Sequence, residues 1–357
     1  MITQFLFNHD GLEANVRPFL SLALLLGMAW ASTAAARAAS GAASGHARDG
    51  SAHPPRMWIM QNLWGLNAVP AKDAEWPLEE KLVRLKAADF DGVDTHYVGS
   101  DPARVRELIG LTRKHGLRMG AHTSVGRIED LAATLPLVKE TGTPYLDVMV
   151  GSYWTPEPQA IALLRASLEM CRRAGVTMMA QTHRGLVTQD LIRTIGYAQA
   201  IPDLRFDLDF SHYIVAGEIG GGLSPEADRH FDVVMRRAAM LDGRVSNGEQ
   251  VQVDMGPAAD NAPARVFAGL WKRVMVRWLR EAQPGDIFPF RVELGPPGYA
   301  ILDLQGREVS DRWEQTLRMR DLAERTWNEA VKETGVGELH GGSPGPAHAG
   351  EKTRRGR

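Results

Sequence analysis

The sequence predicts an α/β protein built as a single (β/α)8 barrel over residues 57–333. Three observations favour this class. Eight short apolar runs recur along the chain, amphipathic helical stretches separate them, and Gly closes several of these stretches just before the next run. No GxGxxG or GxxxxGK[ST] motif follows the first run, which argues against a doubly wound, nucleotide-binding sheet.

The eight predicted strands are residues 58–64, 91–97, 117–124, 145–151, 175–182, 204–211, 239–246 and 287–294. The first helical stretch, PLEEKLVRLKAADF, repeats Leu78, Leu82 and Leu85 at the spacing of one helix face. DPARVRELIGLTRKHG and RIEDLAATLPLVKETG end in Gly116 and Gly142, which is typical of helix C-caps. The alternation is completed by PEPQAIALLRASLEMCRRAG, LVTQDLIRTIGYAQAI, SPEADRHFDVVMRRA, NAPARVFAGLWKRVMVRWLREA and DRWEQTLRMRDLAERTWNEAVKE.

The two ends of the chain read differently from the barrel. Residues 1–38 resemble a secretory signal, because Arg17 precedes the apolar run PFLSLALLLGMAW and small residues suited to cleavage follow it. We therefore expect an exported, periplasmic protein without a stable membrane anchor after processing, since the apolar run is short for a membrane span. A disordered Ala/Ser-rich extension on a cytoplasmic protein is the alternative. Residues 39–56 are predicted as a disordered linker and residues 334–357 as a disordered tail.

The composition excludes several classes of protein. The 357 residues are 44% hydrophobic and 24% charged, with a formal net charge of −2, so no basic field favours nucleic acid as a partner. The single cysteine, Cys171, excludes an internal disulfide framework and a cysteine-built zinc site. A homo-oligomer stays open at this stage.

Polar residues at the strand ends are the candidate site, because catalytic groups of a parallel barrel lie where the βα loops begin. In strand order they are Gln61, Asn62 and Trp64; Asp94, His96 and Tyr97; His122 and Thr123; Asp147, with Tyr153 and Trp154 beyond it; Gln181 and His183; Asp207, Asp209 and His212; Asp242, Arg244, Glu249 and Gln250; and Glu293. Converging carboxylates repel one another unless a cation or a proton lies between them. Asp209 and Glu293, with His212 or His183, suit Mg²⁺, Mn²⁺ or Zn²⁺. Each residue taken alone is more often a rim residue or a helix N-cap.

Four motifs carry a resemblance to a known family. They are QTHRG after the fifth strand, DFSH after the sixth, GRVSNGEQVQ after the seventh and ELGPPGYA after the eighth. From about Met57 to Ala330 the chain resembles the xylose isomerase-like barrels, the sugar phosphate isomerase/epimerase superfamily. The resemblance implies a divalent metal held after the fifth to eighth strands, on Gln181, Asp209, the Asp242 region and Glu293.

The same resemblance implies the chemistry: a metal polarises a sugar carbonyl while a carboxylate removes the neighbouring proton. Gln181 is an amide where an acid is expected, and an amide cannot take a proton. Asp242–Gly243–Arg244 stands where a histidine is common. One outcome is an active isomerase- or epimerase-type enzyme in which metal binding survives on Asp209, Glu293 and one of Asp242, His183 or His212. Glu293 or His212 is then the base, with His183 as a further catalytic candidate, and lyase or one-base isomerase chemistry remains possible.

In that active form Arg244 would hold a substrate oxygen, and Gln250, His122, Trp64 and Trp154 would contact the sugar or sugar derivative. A second outcome is a decayed barrel that binds carbohydrate without turnover, and a lyase or hydrolase of the same superfamily stays open. Phosphodiester hydrolysis on damaged DNA is disfavoured, since it would need a His/Glu-rich multi-zinc site and a basic face.

Overall fold

The computed structural model describes residues 45–95 and 98–341, and within them eight parallel strands close into a barrel. Neighbouring strands hydrogen-bond in chain order, and the last strand pairs with the first. After a short strand β1 (Ala47–Arg48), the barrel strands are β2 (Arg56–Asn62), β3 (Gly92–Asp94), β4 (Arg118–Val125), β5 (Tyr145–Val150), β6 (Thr177–Gln181), β7 (Phe206–Leu208), β8 (Ala238–Gly243) and β9 (Asp286–Val292). The predicted fold class is confirmed.

Helices separate the strands and cover the outside of the barrel. They are α1 (Leu78–Ala87), α2 (Pro102–His115), α3 (Ile128–Thr141), α4 (Glu157–Ala174), α5 (Leu191–Ala200), α6 (Phe210–Ala216), α7 (Pro225–Met235), α8 (Ala262–Glu281) and α9 (Arg312–Thr334). Gly116 and Gly142 end α2 and α3 in the left-handed conformation, with φ of 63° and 73°. None of the helices in the described ranges combines the length and apolar character needed to cross a bilayer.

Alternation along the strands divides the barrel interior into an apolar and a charged part. Near the amino ends of the strands, a cluster of buried apolar side chains fills the barrel: Ala47, Trp58, Met60, Tyr145, Met179, Ala239, Met240 and Ile287. Because every second residue of a strand points to the same face, β8 turns Met240, Asp242 and then Arg244 inward. Likewise Ile287, Arg291 and Glu293 share one face along β9. The charged side chains therefore lie toward the carboxyl ends, above the apolar cluster.

The predicted linker 39–56 differs from the structure over its described part. Ala47 and Arg48 pair in an antiparallel sense with Ile287 and Asp286 at the start of β9. His46 Nδ1 lies 3.1 Å from Asp286 Oδ2, and Ala47 is fully buried. Ala47, flanked by His46 and Arg48, thus packs at the bottom of the barrel beside the buried Asp286. The composition of this segment did not predict these contacts.

The predicted tail 334–357 also begins with contacts to the barrel. Trp327 Nε1 donates to the Glu338 carbonyl at 2.8 Å, and His340 Nε2 lies 2.9 Å from Asp91 Oδ2. The rest of the tail, residues 342–357, and the predicted signal segment 1–38 lie outside the described residues.

Candidate functional site

Three carboxylates meet at the carboxyl ends of β7, β8 and β9. Asp209 follows β7 and caps α6 by accepting from the Ser211 amide, Asp242 lies in β8, and Glu293 directly follows β9. All three are buried, and one oxygen from each lies within 4.8 Å of the others. This buried acidic triad is compact enough that it could bind a metal ion.

Gln181 joins the triad from the end of β6. Its Nε2 donates to Asp242 Oδ2 at 2.9 Å, so the amide is directed to the same region as the carboxylates. Its Oε1 is buried and has no hydrogen-bond partner among the described residues. A buried amide oxygen without a partner calls for an explanation, and a bound cation, water or ligand hydroxyl would provide one.

Arg244 enters the triad from the segment after β8. Its guanidinium is 1% exposed; Nη1 donates to Asp209 Oδ2, and Nη2 donates to Glu293 Oε2 at 2.9 Å. Asn62 Nδ2 donates to the other oxygen, Glu293 Oε1, at 2.7 Å. The guanidinium thus bridges two of the three carboxylates and fills the space between them.

A divalent cation fits this donor set only if Arg244 moves away. Every carboxylate oxygen of the triad already accepts a hydrogen bond: Asp209 from Ser211 and Arg244, Glu293 from Asn62 and Arg244, and Asp242 from Arg291 and Gln181. An ion ligated by all three acids would have to displace the guanidinium that bridges two of them. The residues therefore fit a metal and the present position of Arg244 as alternatives, not together.

A second arginine lies one layer deeper in the barrel. Arg291 on β9 is fully buried and donates to Asp242 Oδ1 at 2.7 Å, to Asp207 Oδ2 at 2.7 Å and to Asp147 Oδ2 at 2.8 Å. Burial disfavours its charge, but the surrounding acids outweigh burial and hold the pKa of Arg291 well above its usual value. Sequence reasoning missed this residue, although an arginine on the inward face of a strand was the signal.

His122 belongs to this deeper layer. Its Nδ1 lies 2.5 Å from Asp147 Oδ2, and the ring is 2% exposed. The predicted role of His122 as a substrate contact is therefore not favoured by its position, because Arg291 and Asp147 are its neighbours.

The buried carboxyl groups in the described part of the barrel outnumber the two buried arginines, Arg244 and Arg291, that contact them. Burial raises the pKa of Asp209 to about 6 and that of Asp242 to about 6, although Arg244 and Arg291 oppose the rise. Burial also raises the pKa of Asp94 to about 6 and places that of Asp207 well above its ordinary value. Some of these carboxyls therefore take up protons as the pH falls through about 6.

Two neutral imidazoles stand beside Arg244. The rings of His183 and His212 lie 4.1 Å apart, and His212 Nε2 is 3.3 Å from Asp209 Oδ2. Burial, followed by the charge of Arg244, lowers the pKa of His183 to about 3. Burial and the adjoining His183 lower the pKa of His212 well below its usual value. Its Nδ1 is buried without a partner among the described residues.

Tyr299 covers the cluster and was missed in the sequence. Its hydroxyl lies 2.9 Å from His183 Nε2, and the guanidinium carbons of Arg244 and Arg184 each lie 4.6 Å from its ring centre. Trp64 packs edge-on against the same ring, with centroids 5.3 Å apart. Tyr299 belongs to the GPPGYA motif. A stiff turn explains the Gly and Pro residues of this motif but gives no reason for the tyrosine, which was therefore the signal.

Gly295 allows this close packing. A Cβ at this position would lie 2.6 Å from the Trp64 ring and 2.7 Å from Tyr299, closer than carbon atoms approach. Gln252 fixes the same residue by donating to its carbonyl at 3.1 Å and accepting from its amide at 2.7 Å.

The remaining predicted substrate contacts do not join the cluster in the described part of the chain. Trp154 is 83% exposed and packs against Tyr153. The Gln250 side chain is exposed and accepts from Asn247 Nδ2 at 2.5 Å. His96 and Tyr97 lie outside the described residues. Of the predicted sugar contacts, Arg244 lies against Glu293 and Trp64 packs on Tyr299.

Comparison with solved structures places this architecture. The chain superimposes on D-allulose 3-epimerase from Methylomonas sp. in complex with D-allulose with a TM-score of 0.53 and 12% identity, covering 77% of this chain and 99% of that one. For D-psicose 3-epimerase with D-tagatose from Clostridium cellulolyticum H10 the TM-score is 0.51 at 8% identity, over 76% and 99% of the two chains.

The chain therefore has the same barrel fold as these two epimerases. A xylose isomerase-like TIM barrel protein from Mycobacterium smegmatis in complex with magnesium gives a TM-score of 0.49 at 12% identity, over 76% of this chain and 98% of that one. No protein-family model matches the chain, and no curated protein matches it in sequence. The predicted likeness is thus confirmed for the barrel fold, and the chemistry depends on the residues described above.

Proposed function

We propose that the chain is an enzyme that binds a sugar or sugar-derived carbonyl compound at the barrel mouth and moves a proton at the carbon beside the carbonyl. This is isomerase or epimerase chemistry. The observation that carries the proposal is the buried contact of Arg244 with Asp209 and Glu293, next to the neutral ring of His212.

In this proposal Glu293 is the base. It is 5% exposed, against 0% for Asp209 and Asp242, so it is the member of the triad nearest to the solvent side. Asn62 and Arg244 hold its two oxygens in place, which positions the carboxylate for a substrate proton. Donors aimed at the oxygen where negative charge develops stabilise an enediolate, and Arg244 is the nearest cation to Glu293 for that task.

Two alternatives remain open. The first concerns the group that polarises the carbonyl, and the second concerns whether the bound sugar is converted at all. A divalent metal, Mg²⁺, Mn²⁺ or Zn²⁺, is the second candidate for the electrophile; the spacing of the triad and the unpartnered Oε1 of Gln181 support it. Bound on Asp209, Asp242, Glu293 and Gln181, such an ion would polarise the carbonyl. Carbohydrate binding without turnover is the second candidate function, and the neutral amide at position 181 favours it.

Proton exchange into solvent tests the proposal directly. The purified chain is incubated in D₂O with D-allulose or D-tagatose, the sugars bound in two of the similar structures, and deuterium at the carbon beside the carbonyl is followed by NMR. Wild type should incorporate deuterium, and Glu293→Gln should lower the rate by about 100-fold or more, the usual worth of a general base. The exposed Glu249, changed to Gln, is the matched control and should leave the rate unchanged.

Binding of a sugar by calorimetry without any deuterium incorporation would favour the non-catalytic barrel. Equal rates for wild type and Glu293→Gln would remove Glu293 from the chemistry.

A further inference from the structure

The position of Arg244 bears on which group supplies the positive charge at this site. Its guanidinium contacts Asp209 and Glu293 at once, and both are buried carboxylates of the compact triad. Arginine keeps its charge at every pH at which a protein folds, and its planar donors suit bridging contacts to carboxylates. A permanent positive charge therefore already lies between the two acids.

The neighbouring groups also reduce the negative charge that is available to a divalent ion. Asp242, the third member, already accepts hydrogen bonds of 2.7 and 2.8 Å from Arg291, which it shares with Asp147 and Asp207. Position 181 is a neutral amide and adds no negative charge to the site. Asp209 and Glu293 are thus the acids that face Arg244, and a divalent ion bound to both of them would require the guanidinium to leave.

Arg244 also keeps one donor free for a ligand. Its Nη atoms are engaged with the carboxylates, but its Nε is buried with no hydrogen-bond partner among the described residues. Nearby His212, 3.3 Å from Arg244 Nη1 through its Nε2, leaves its Nδ1 unpartnered in the same way. Unsatisfied buried donors and acceptors are costly in a folded protein, so their grouping points to a polar ligand at this place.

We propose that Arg244 is the resident cation of this site, occupying the space a divalent metal would need and supplying, through Nε–H, the positive charge that polarises a substrate carbonyl oxygen. This inference rests on the proposed function and names its electrophile. The Glu293 carboxylate takes the proton from the carbon, and the C–H electron pair becomes the C=C bond of the enediolate. The former carbonyl oxygen carries the negative charge next to Arg244. Return of the proton from Glu293 regenerates a carbonyl compound, so no oxidant or further reactant is needed.

The experiment combines a metal measurement with the exchange assay. Wild type is dialysed against EDTA, and then Mn²⁺ is titrated into it by calorimetry and by thermal unfolding. We expect no saturable Mn²⁺ binding up to about 1 mM and no shift in Tm. This result would correspond to a Kd for Mn²⁺ weaker than about 1 mM. Deuterium exchange into D-allulose should be the same before and after EDTA.

Variants of Arg244 separate its charge from its packing. Arg244→Met should lower exchange by at least about 100-fold and should bind Mn²⁺ measurably, because the triad loses its cation. Arg244→Lys should recover part of the exchange and again exclude Mn²⁺. Arg184→Met is the matched control, since Arg184 stacks on the same Tyr299 ring at 4.6 Å but is exposed. It should behave as wild type.

Stoichiometric Mn²⁺ binding by wild type, or loss of exchange on EDTA treatment, would overturn the assignment of Arg244. Absence of exchange in wild type would overturn the proposed enzyme alone, because the Mn²⁺ titrations still report on Arg244. If Arg244→Met does not fold, the wild-type titration and Arg244→Lys decide the matter.

Discussion

Removing Arg291 should be the most damaging single change in the barrel interior. Arg291→Met keeps an unbranched apolar stem of similar reach but leaves Asp147, Asp207 and Asp242 without their shared cation. Breaking a buried ion pair by deleting one partner costs about 3–5 kcal/mol, because the remaining charge stays buried and uncompensated. Here three carboxylates lose the partner, but each can limit the cost by taking up a proton at about 1.4 kcal/mol per pH unit. We therefore expect a loss of about 4 kcal/mol in the free energy of unfolding at pH 7.5.

The pH dependence gives this prediction its sign. Without Arg291 the three acids protonate more readily, so the loss should be smaller at pH 5.5 than at pH 7.5. Urea denaturation followed by tryptophan fluorescence measures both values, and a Tm about 5–10 °C lower than wild type should accompany the loss at pH 7.5. Arg173→Met, which breaks an exposed pair with Glu169, is the control and should change stability by less than about 0.5 kcal/mol. A loss below 1 kcal/mol at pH 7.5, or a larger loss at the lower pH, would refute the role given to Arg291.

Three further predictions concern Asp94, Gly295 and the predicted signal segment. Asp94 has a pKa raised to about 6 from 3.8 by burial, so its stabilising contribution is present below pH 3.8 and is lost as the pH rises through 6. Asp94→Asn should therefore stabilise the chain by about 1–3 kcal/mol at pH 7.5 and have little effect near pH 4, measured by urea denaturation. Gly295→Ala should displace Trp64 or Tyr299 and cost about 1–3 kcal/mol, visible as a changed near-UV dichroism spectrum. Export predicts a mature N-terminus near Ala38 by protein sequencing, and an intact Met1 in the cytosol would favour the cytoplasmic alternative.

The alternation of apolar runs and helical stretches was enough to predict the barrel. It works because a βα unit must bury one face of its helix and both faces of its strand, and each requirement leaves a local signature in the sequence. The barrel rule predicts that all strand ends meet at one rim, and the family resemblance selected four residues from that rim. Gln181, Asp209, Asp242 and Glu293 do lie together in the structure.

What each polar side chain contacts could not be predicted in the same way. Arg291 and Arg244 are both arginines on or just after strands, and their partners lie on strands far away in sequence. Arg291 reaches Asp147, 144 residues earlier in the chain. His122 was predicted at a strand end but lies within β4, where it contacts Asp147, whereas Glu293 follows β9 and contacts Arg244. Depth along the barrel axis separates these roles, and depth depends on strand stagger that the sequence pattern does not report.

The two arginines divide the acids between them, and this division determines which acids are left for chemistry. Arg291 binds Asp242 through two nitrogens from below, so the β8 acid faces into the barrel and serves the deeper layer. Asp209 is held by Ser211 and Arg244, and burial raises its pKa to about 6. Glu293 is the least buried of the three and is hydrogen-bonded to a neutral amide on one oxygen and to Arg244 on the other. Under the proposed function, a substrate at the mouth would therefore meet the Glu293 carboxylate and the Arg244 guanidinium before it meets Asp209 or Asp242. In the proposed reaction, proton transfer by Glu293 beside an oxygen bound to Arg244 requires little rearrangement of these contacts. Substitution of Asp242 should accordingly disturb stability more than it disturbs exchange.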